Sequence, residues 1–409
     1  MADKQDSKMR VAFVSSYPPR ECGLATFTQD LVQATKAASS DIDVKIVAIN
    51  EAGGLHRYPS EVVHRIDQGR PETYVEAARF LSRQPFDVVV VQHEFGRFGV
   101  WDEYLRRDDL APFLDELSKP VVTTLHTILP SPHPTVKAAT LNAINKSQAV
   151  MVMAKIGAIM LSEEYNAPSQ KIVYIPHGMP EIQPSGRRRL KAELGIKERT
   201  IISTFGLLSP GKGLEYAIQA VARIVEKHPD VLYLIVGQTH PDLLRYEGEA
   251  YRNRLQRTVD ELGLNDHVAF VNHYLDKKEI VEYLLASDVY VTPYLNRNQI
   301  TSGTLTYALG AGKAIVSTPY IHATEVLAEH RGIIAEFRSS ESLANSINFI
   351  LDSPAEQDSL EKNAYRYGKQ MAWPLVGRDF ATLLRRVVAG QPVTYDSGDP
   401  YRLIKDDAA

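Results

Sequence analysis

Cysteine is almost absent: Cys22 is the only one in 409 residues. An intrachain disulfide and a cysteine metal cluster are therefore both excluded. Long apolar runs are missing too; none approaches the roughly 20 residues that span a bilayer, so no transmembrane segment is expected. The opening MADKQDSK has no apolar stretch of the kind a secretory leader carries, and a cytoplasmic protein is the expectation. Charge of one sign is scarce: 46 basic against 50 acidic side chains leave a formal −4, which gives no general case for nucleic acid or an anionic membrane. The one basic run, Arg187-Arg188-Arg189-Leu190-Lys191, precedes a helical pattern and reads as a solvated helix start. No short-period repeat and no low-complexity tract is present.

What is there is alternation. At 409 residues the chain is too long for one core. Apolar, β-rich runs recur between helical patterns: 10–15, 44–49, 62–66, 86–92, 120–125, 149–154 and 172–175, then 200–205, 232–236, 268–271, 289–292, 314–317 and 333–335. Around Met179 to Arg189 the apolar periodicity lapses, as linkers do. The pattern predicts an α/β protein of two doubly wound domains facing across a cleft. The first covers residues 1–180 and the second 187–372; a helix over 373–390 crosses back to the first, and a polar tail fills 391–409.

In such sheets ligands sit at the carboxyl ends of strands. The strongest candidate runs from Asp288 to Pro319 as strand, loop, helix and strand, with Thr301-Ser302-Gly303-Thr304 at the helix start. Free N–H groups and the positive end of the helix dipole meet there, so an anion is the expected guest. For Ser302 and Thr304 taken alone, capping of the helix is the favoured reading, ahead of added hydroxyls for a phosphate. Phe205 to Leu214 (FGLLSPGKGL) is a second strand end, glycine-rich, with Lys212 at a helix start. In the first half, Gly23 opens a helix after a proline-bearing loop, and His93 and His126 each stand at a strand end.

Taken together these stretches resemble family 4 of the retaining glycosyltransferases, enzymes of the GT-B fold. The family's G-R-L-x-x-x-K-G is matched by Gly206, Leu208, Lys212 and Gly213, and its E-A-x-A-x-G-x-P-V-V by Tyr307 to Val316, with Glu325 beyond. Leu262 to Phe270 and Ala286 to Pro293 also resemble the family, and the likeness runs in order along nearly the whole chain. It departs at telling places: Leu207 replaces an arginine, Gln299 and Tyr307 replace both glutamates of E-x7-E, and Ile321-His322 replace a glycine pair.

The resemblance implies two Rossmann-like domains and a retaining, metal-independent hexosyl transfer from a nucleotide sugar to a saccharide or other hydroxyl acceptor, with no cofactor. It assigns Lys212, His126 and Gln299 to catalysis. Gly23, Lys212, Ser302, Gly303, Thr304 and Leu305 go to the donor phosphate, and Gln299, Tyr307, His322, Glu325 and Tyr274 to the donor sugar or nucleotide. Arg20, His93 and Glu94 fall on the acceptor side, and no metal ligand is expected. The Ser302 loop also resembles the phosphate loop of glycogen-phosphorylase-type enzymes. A glycosyl phosphorylase using a sugar 1-phosphate, a sugar-nucleotide epimerase and a non-catalytic sugar- or nucleotide-binding protein therefore stay open, as do the sugar, the base, the acceptor and the oligomeric state.

Overall fold

The computed structural model describes residues 8–102, 105–394 and 399–404. The chain forms two compact units: Met1–Gly178 with Trp373–Ala409, and Met179–Ala372. The final helix, Trp373–Val388, thus belongs with the first unit.

Unit 1 contains β1 (Met9–Ser15), β2 (Ile42–Asn50), β3 (Val62–Asp67), β4 (Val88–His93), β5 (Gly99–Trp101), β6 (Arg106–Asp108), β7 (Val121–Leu125), β8 (Ala149–Val152) and β9 (Ile172–Tyr174). Seven of these form one sheet in the order β3-β2-β1-β4-β7-β8-β9, paired parallel throughout. β5 and β6 pair antiparallel outside it. The unbroken valines of β4 follow from its place: a central parallel strand is covered on both faces, and all six of its residues are buried. Val88 and Val90 meet Phe13, Phe27, Leu31 and Phe380 on one face. Val89 and Val91 meet Ala12, Val14, Tyr74 and Phe113 on the other. This alternation sends the last two β4 side chains, Gln92 and His93, to opposite faces.

The helix Gly23–Ala38 and the helix Trp373–Val388 pack closely, because Gly377 has no side chain where a Cβ would strike the Ala34 carbonyl. The polar stretch beyond is anchored rather than loose in its described part. Tyr174 N–H at the sheet edge donates to the Tyr401 carbonyl (2.9 Å), Ile404 N–H donates to the Val393 carbonyl (3.0 Å), and Val393 and Leu403 are buried.

Unit 2 contains β10 (Thr200–Phe205), β11 (Val231–Val236), β12 (Val268–Val271), β13 (Val289–Thr292), β14 (Ala314–Ser317) and β15 (Ile333–Ile334). Their order is β12-β11-β10-β13-β14-β15, again all parallel. Each unit therefore reverses its winding between its first and fourth strands, β1/β4 and β10/β13, the place where doubly wound sheets open a crevice at their carboxyl ends. The basic run is less solvated than its composition suggests. Lys191 Nζ pairs with Asp288 (2.5 Å), and Arg187 pairs with Glu361 (2.5 Å) and Asp288 (3.7 Å). These pairs tie the helix Arg187–Glu193 to unit 2.

Candidate functional site

The carboxyl ends of β10 and β13 carry the densest set of the expected residues. After β13 the chain loops to Ser302, which caps the helix Gly303–Gly310: its Oγ accepts from Leu305 N–H (3.4 Å) and its carbonyl accepts from Thr306 N–H (3.1 Å). The Gly303 and Thr304 amides, first in the helix, have no intrahelical acceptor by their position. Ser302 Oγ and Thr304 Oγ1 lie 3.2 Å apart, and Thr304 Oγ1 is 2.7 Å from the Tyr294 hydroxyl. His322 is buried, and its Nδ1 accepts from Ser302 N–H (3.0 Å), which leaves the proton of the neutral ring on Nε2. Gln299 folds over the same loop: its side-chain amide donates to the Thr301 carbonyl (3.1 Å), and its own carbonyl accepts from His322 N–H (3.1 Å).

The second loop arrives from β10. Lys212 ends a single 3-10 turn, Pro210–Lys212, and its ammonium sits 3.8 Å from the centre of the Tyr294 ring. Among the described residues it makes no ion pair, so its charge is not neutralised by a carboxylate. The approach of the two loops depends on Gly213: at φ +61° a side chain is disfavoured, and a Cβ would collide with the Pro293 carbonyl. Gly206 lies against the helix start as well, where a Cβ would stand 3.4 Å from Thr304 Cγ2. Leu295 N–H closes the pair of loops onto the Gly211 carbonyl (2.9 Å). Lysine, two hydroxyls and unpaired helix-start amides form a cradle suited to a phosphate oxygen.

Three further expected residues belong to unit 2. Tyr307 is buried in the unit 2 core with its ring 6.2 Å from that of Phe205. Glu325 lies in the short helix Ile321–Val326, where its carbonyl accepts from Arg331 (3.1 Å). Tyr274 is 40% exposed in the loop after β12.

In unit 1 the corresponding strand ends hold imidazoles. His93 closes β4 between the rings of Phe95 (4.9 Å) and Phe98 (5.8 Å), and burial pushes its pKa down to about 4. His126 follows β7; its Nε2 is 2.8 Å from Gln92 Oε1, and its ring meets the edge of Phe27 at 4.9 Å. Burial, then the nearby His177 and His93, hold it at about 3. His177 touches Phe27 from another side (4.9 Å) and is pushed by burial to about 4. All three rings are neutral at pH 7. Glu94 spans two strand ends, taking hydrogen bonds from Thr127 Oγ1 (2.7 Å) and Phe95 N–H (3.0 Å); its burial raises the carboxyl above the usual range. Gly23 begins the helix Gly23–Ala38 with open space around its Cα. Arg20 is buried, with its guanidinium directed to the Ile49 carbonyl (2.9 Å), Glu51 (3.5 Å) and Gln68 (3.4 Å).

Sequence reasoning did not single out Tyr294, Tyr320, Gln92 or His177. Gln92 and His177 had a weak signal, each being polar at the end of an apolar run. Tyr294 had none beyond following Pro293 at a strand end. Among the described residues no group of three or more His, Cys, Asp or Glu side chains converges to hold a metal ion, and no helix is long and apolar enough to cross a membrane.

Comparison with known proteins bears on the fold and on the sequence pattern of unit 2. Residues 186–367 match the family model described as glycosyl transferases group 1. Spore coat protein SA of Bacillus subtilis (strain 168) is 26% identical over 254 residues, 59% of this chain and 65% of that protein. The 2-deoxystreptamine glucosyltransferase of Streptomyces kanamyceticus is 25% identical over 236 residues, 54% of this chain and 56% of that protein. The chain thus spans less than two thirds of the length of these relatives. Among solved structures, Anabaena HepE in complex with UDP and glucose has a TM-score of 0.72 at 17% identity, covering 92% of this chain and 99% of that one. Sucrose-phosphate synthase from Thermosynechococcus elongatus has a TM-score of 0.75 at 18% identity, covering 94% of this chain and 100% of that one. The chain has the GT-B fold, and its second unit carries the sequence pattern of the group 1 glycosyl transferases.

Proposed function

We propose that this protein is a retaining glycosyltransferase that moves a hexose from a nucleotide sugar to a hydroxyl of a saccharide or another acceptor, and that it works in the cytoplasm. The observation that carries the reading is the unit 2 cradle. Lys212, uncompensated by a carboxylate, shares a switch point with the Ser302 and Thr304 hydroxyls and the first amides of the helix Gly303–Gly310. Glycosyl transfer from a nucleotide donor needs such a set, because negative charge grows on the leaving diphosphate as its bond to the sugar lengthens.

The reaction breaks the bond between the sugar C1 and the phosphate oxygen and forms one from the acceptor oxygen to C1 on the same face. The acceptor proton passes to the leaving phosphate, so no strong protein base is required. Lys212 and the amides near Gly303 hold the diphosphate, with Leu305 closing the turn; the positive charge comes from the chain itself, and the transfer proceeds without a resident metal ion. Gln299 offers a sugar hydroxyl the free face of its amide. His322 acts on the site by fixing Ser302. Tyr274, Tyr307 and Glu325 are assigned to the nucleotide side. In unit 1, Gly23 and neutral His126 are assigned to the donor, and Arg20, His93 and Glu94 to the acceptor.

A second reading, a glycosyl phosphorylase using a sugar 1-phosphate, is favoured by one observation: Tyr307, at the position where the resembled family has its ribose carboxylate, is packed against Phe205 in the core. Calorimetric titration with UDP-sugars, GDP-sugars and sugar 1-phosphates tests the choice. The proposal expects a nucleotide sugar to bind and its sugar to be transferred; binding of sugar 1-phosphates alone would refute it.

A further inference from the structure

Tyr294 lies beneath the cradle with 1% of its surface exposed. Its ring stacks on Tyr320, with centroids 5.4 Å apart and an interplanar angle of 18°. Its carbonyl accepts from Thr318 Oγ1 at 2.5 Å, so ring and backbone are both fixed. Two functional groups converge on this one side chain. The Lys212 ammonium stands 3.8 Å from the ring centre, and the phenol oxygen is 2.7 Å from Thr304 Oγ1. The first contact belongs to the loop after β10, the second to the helix after β13.

We propose that Tyr294 is a positioning residue for the cradle, holding Lys212 and Thr304 in register for a diphosphate. The inference rests on the phosphate reading of that cradle. Lysine hangs on a flexible four-carbon stem, and ordering it costs rotamer entropy. A carboxylate would order it too, but would cancel the charge that a phosphate needs. An aromatic face attracts the ammonium through its quadrupole and leaves the charge in place. The phenol sets the Thr304 rotamer, and the stack on Tyr320 prevents the ring from turning away. Pre-organisation of this kind lowers the cost of binding without adding a contact to the ligand.

The test measures the affinity of the full chain for UDP and for inorganic pyrophosphate, with thermal midpoints recorded alongside. Tyr294→Phe keeps the ring under Lys212 and should stay within about threefold of the unaltered protein, the size of one neutral hydrogen bond. Tyr294→Leu should lose about 10- to 30-fold, the range set by the rotamer entropy of ordering one lysine side chain. In a Lys212→Ala background Tyr294→Leu should cost nothing further, since the two act as a unit.

Phenylalanine carrying one, two and three fluorines at position 294 preserves shape while draining the ring face. Affinity should fall stepwise along that series at constant midpoint, a response that a merely structural ring would not give. The series also carries the test if Tyr294→Leu does not fold. A flat fluorine series, or an equal loss from Tyr294→Leu with and without Lys212, would overturn the inference. If the unaltered protein binds neither UDP nor pyrophosphate, the phosphate reading itself falls, a failure visible before any variant is made.

Discussion

The first and fourth strands of unit 1 run out into Ser16 and into Gln92 and His93, with Gln92 bonded to His126, whereas those of unit 2 lead into loops of glycines, Lys212 and a row of hydroxyls. The winding of the two sheets is the same up to the sixth strand. In unit 1 the polar atoms are buried, and Ser16 Oγ, Gln92 Nε2 and His93 Nδ1 have no hydrogen-bond partner among the described residues. In unit 2 the cradle hydroxyls are paired with one another and Lys212 is partly open. The fold fixes where a ligand can sit, and the loop residues decide what it is. The strand ends of unit 1 hold neutral imidazoles and an amide, those of unit 2 a lysine that no carboxylate offsets.

The largest expected effect separates the units by charge. Lys212→Ala should cut kcat/KM for the bound nucleotide sugar by roughly 10²–10³-fold, the loss typical of one pre-organised transition-state contact. Steady-state kinetics read this directly, and an unchanged kcat would remove Lys212 from the site.

The glycines at the two loops should differ nearly as much. Gly213→Val places a Cβ against the Pro293 carbonyl at φ +61° and should destabilise unit 2 by about 3 kcal/mol or more. Gly23→Ala meets open space and should change stability by less than about 1 kcal/mol. Urea midpoints by circular dichroism compare them, and equal damage would erase the contrast.

Acid should act on unit 1. His93 is held by burial at about 4, against an ordinary value of 6.5. The unfolded chain therefore binds the proton more tightly between those values, and stability is lost as pH falls from 6.5 towards 4. For one such histidine the loss from pH 7 to pH 5 is about 2 kcal/mol. Both tryptophans, Trp101 and Trp373, lie in unit 1, so their fluorescence follows that unit's urea transition, and His93→Phe should make its pH slope shallower while His126 and His177 keep the remainder. Lys313 of unit 2, pushed down to about 7 by burial, has the same sign in a higher window: stability is lost as pH falls from 10.5 towards 7. Lys313→Met should remove that dependence, read by circular dichroism.

Ser302→Ala removes a helix cap and should cost unit 2 only about 1 kcal/mol, read from the same urea midpoints.

Much of this was legible in the sequence because it is local. The central strands announce themselves by unbroken valine and isoleucine runs, and the Ser302 helix start by a capping hydroxyl and glycine after a strand. Lys212 and Ser302 were recognisable separately, but not the side chain that joins them: positions 212, 294 and 304 are brought together only by the β10/β13 pairing and the loops around it. His322, expected near the sugar, meets the loop through Ser302 N–H, a contact between residues 20 apart that no local pattern announces. The basic run starts a helix as expected, with Arg188 and Arg189 exposed, but Asp288 and Glu361, distant in sequence, bring Arg187 and Lys191 into ion pairs that the local pattern does not show. The described part of the tail is polar overall, which concealed that Val393 and Leu403 are buried in unit 1.

The most direct test of the central claim is to run the transfer backwards. Purified glycosidic product is incubated with the protein and either a nucleoside diphosphate or inorganic phosphate, and the released sugar is identified. The account predicts that a nucleoside diphosphate alone drives cleavage and yields a nucleotide sugar with the same anomeric configuration as the product. Cleavage by inorganic phosphate alone, yielding a sugar 1-phosphate, would contradict it.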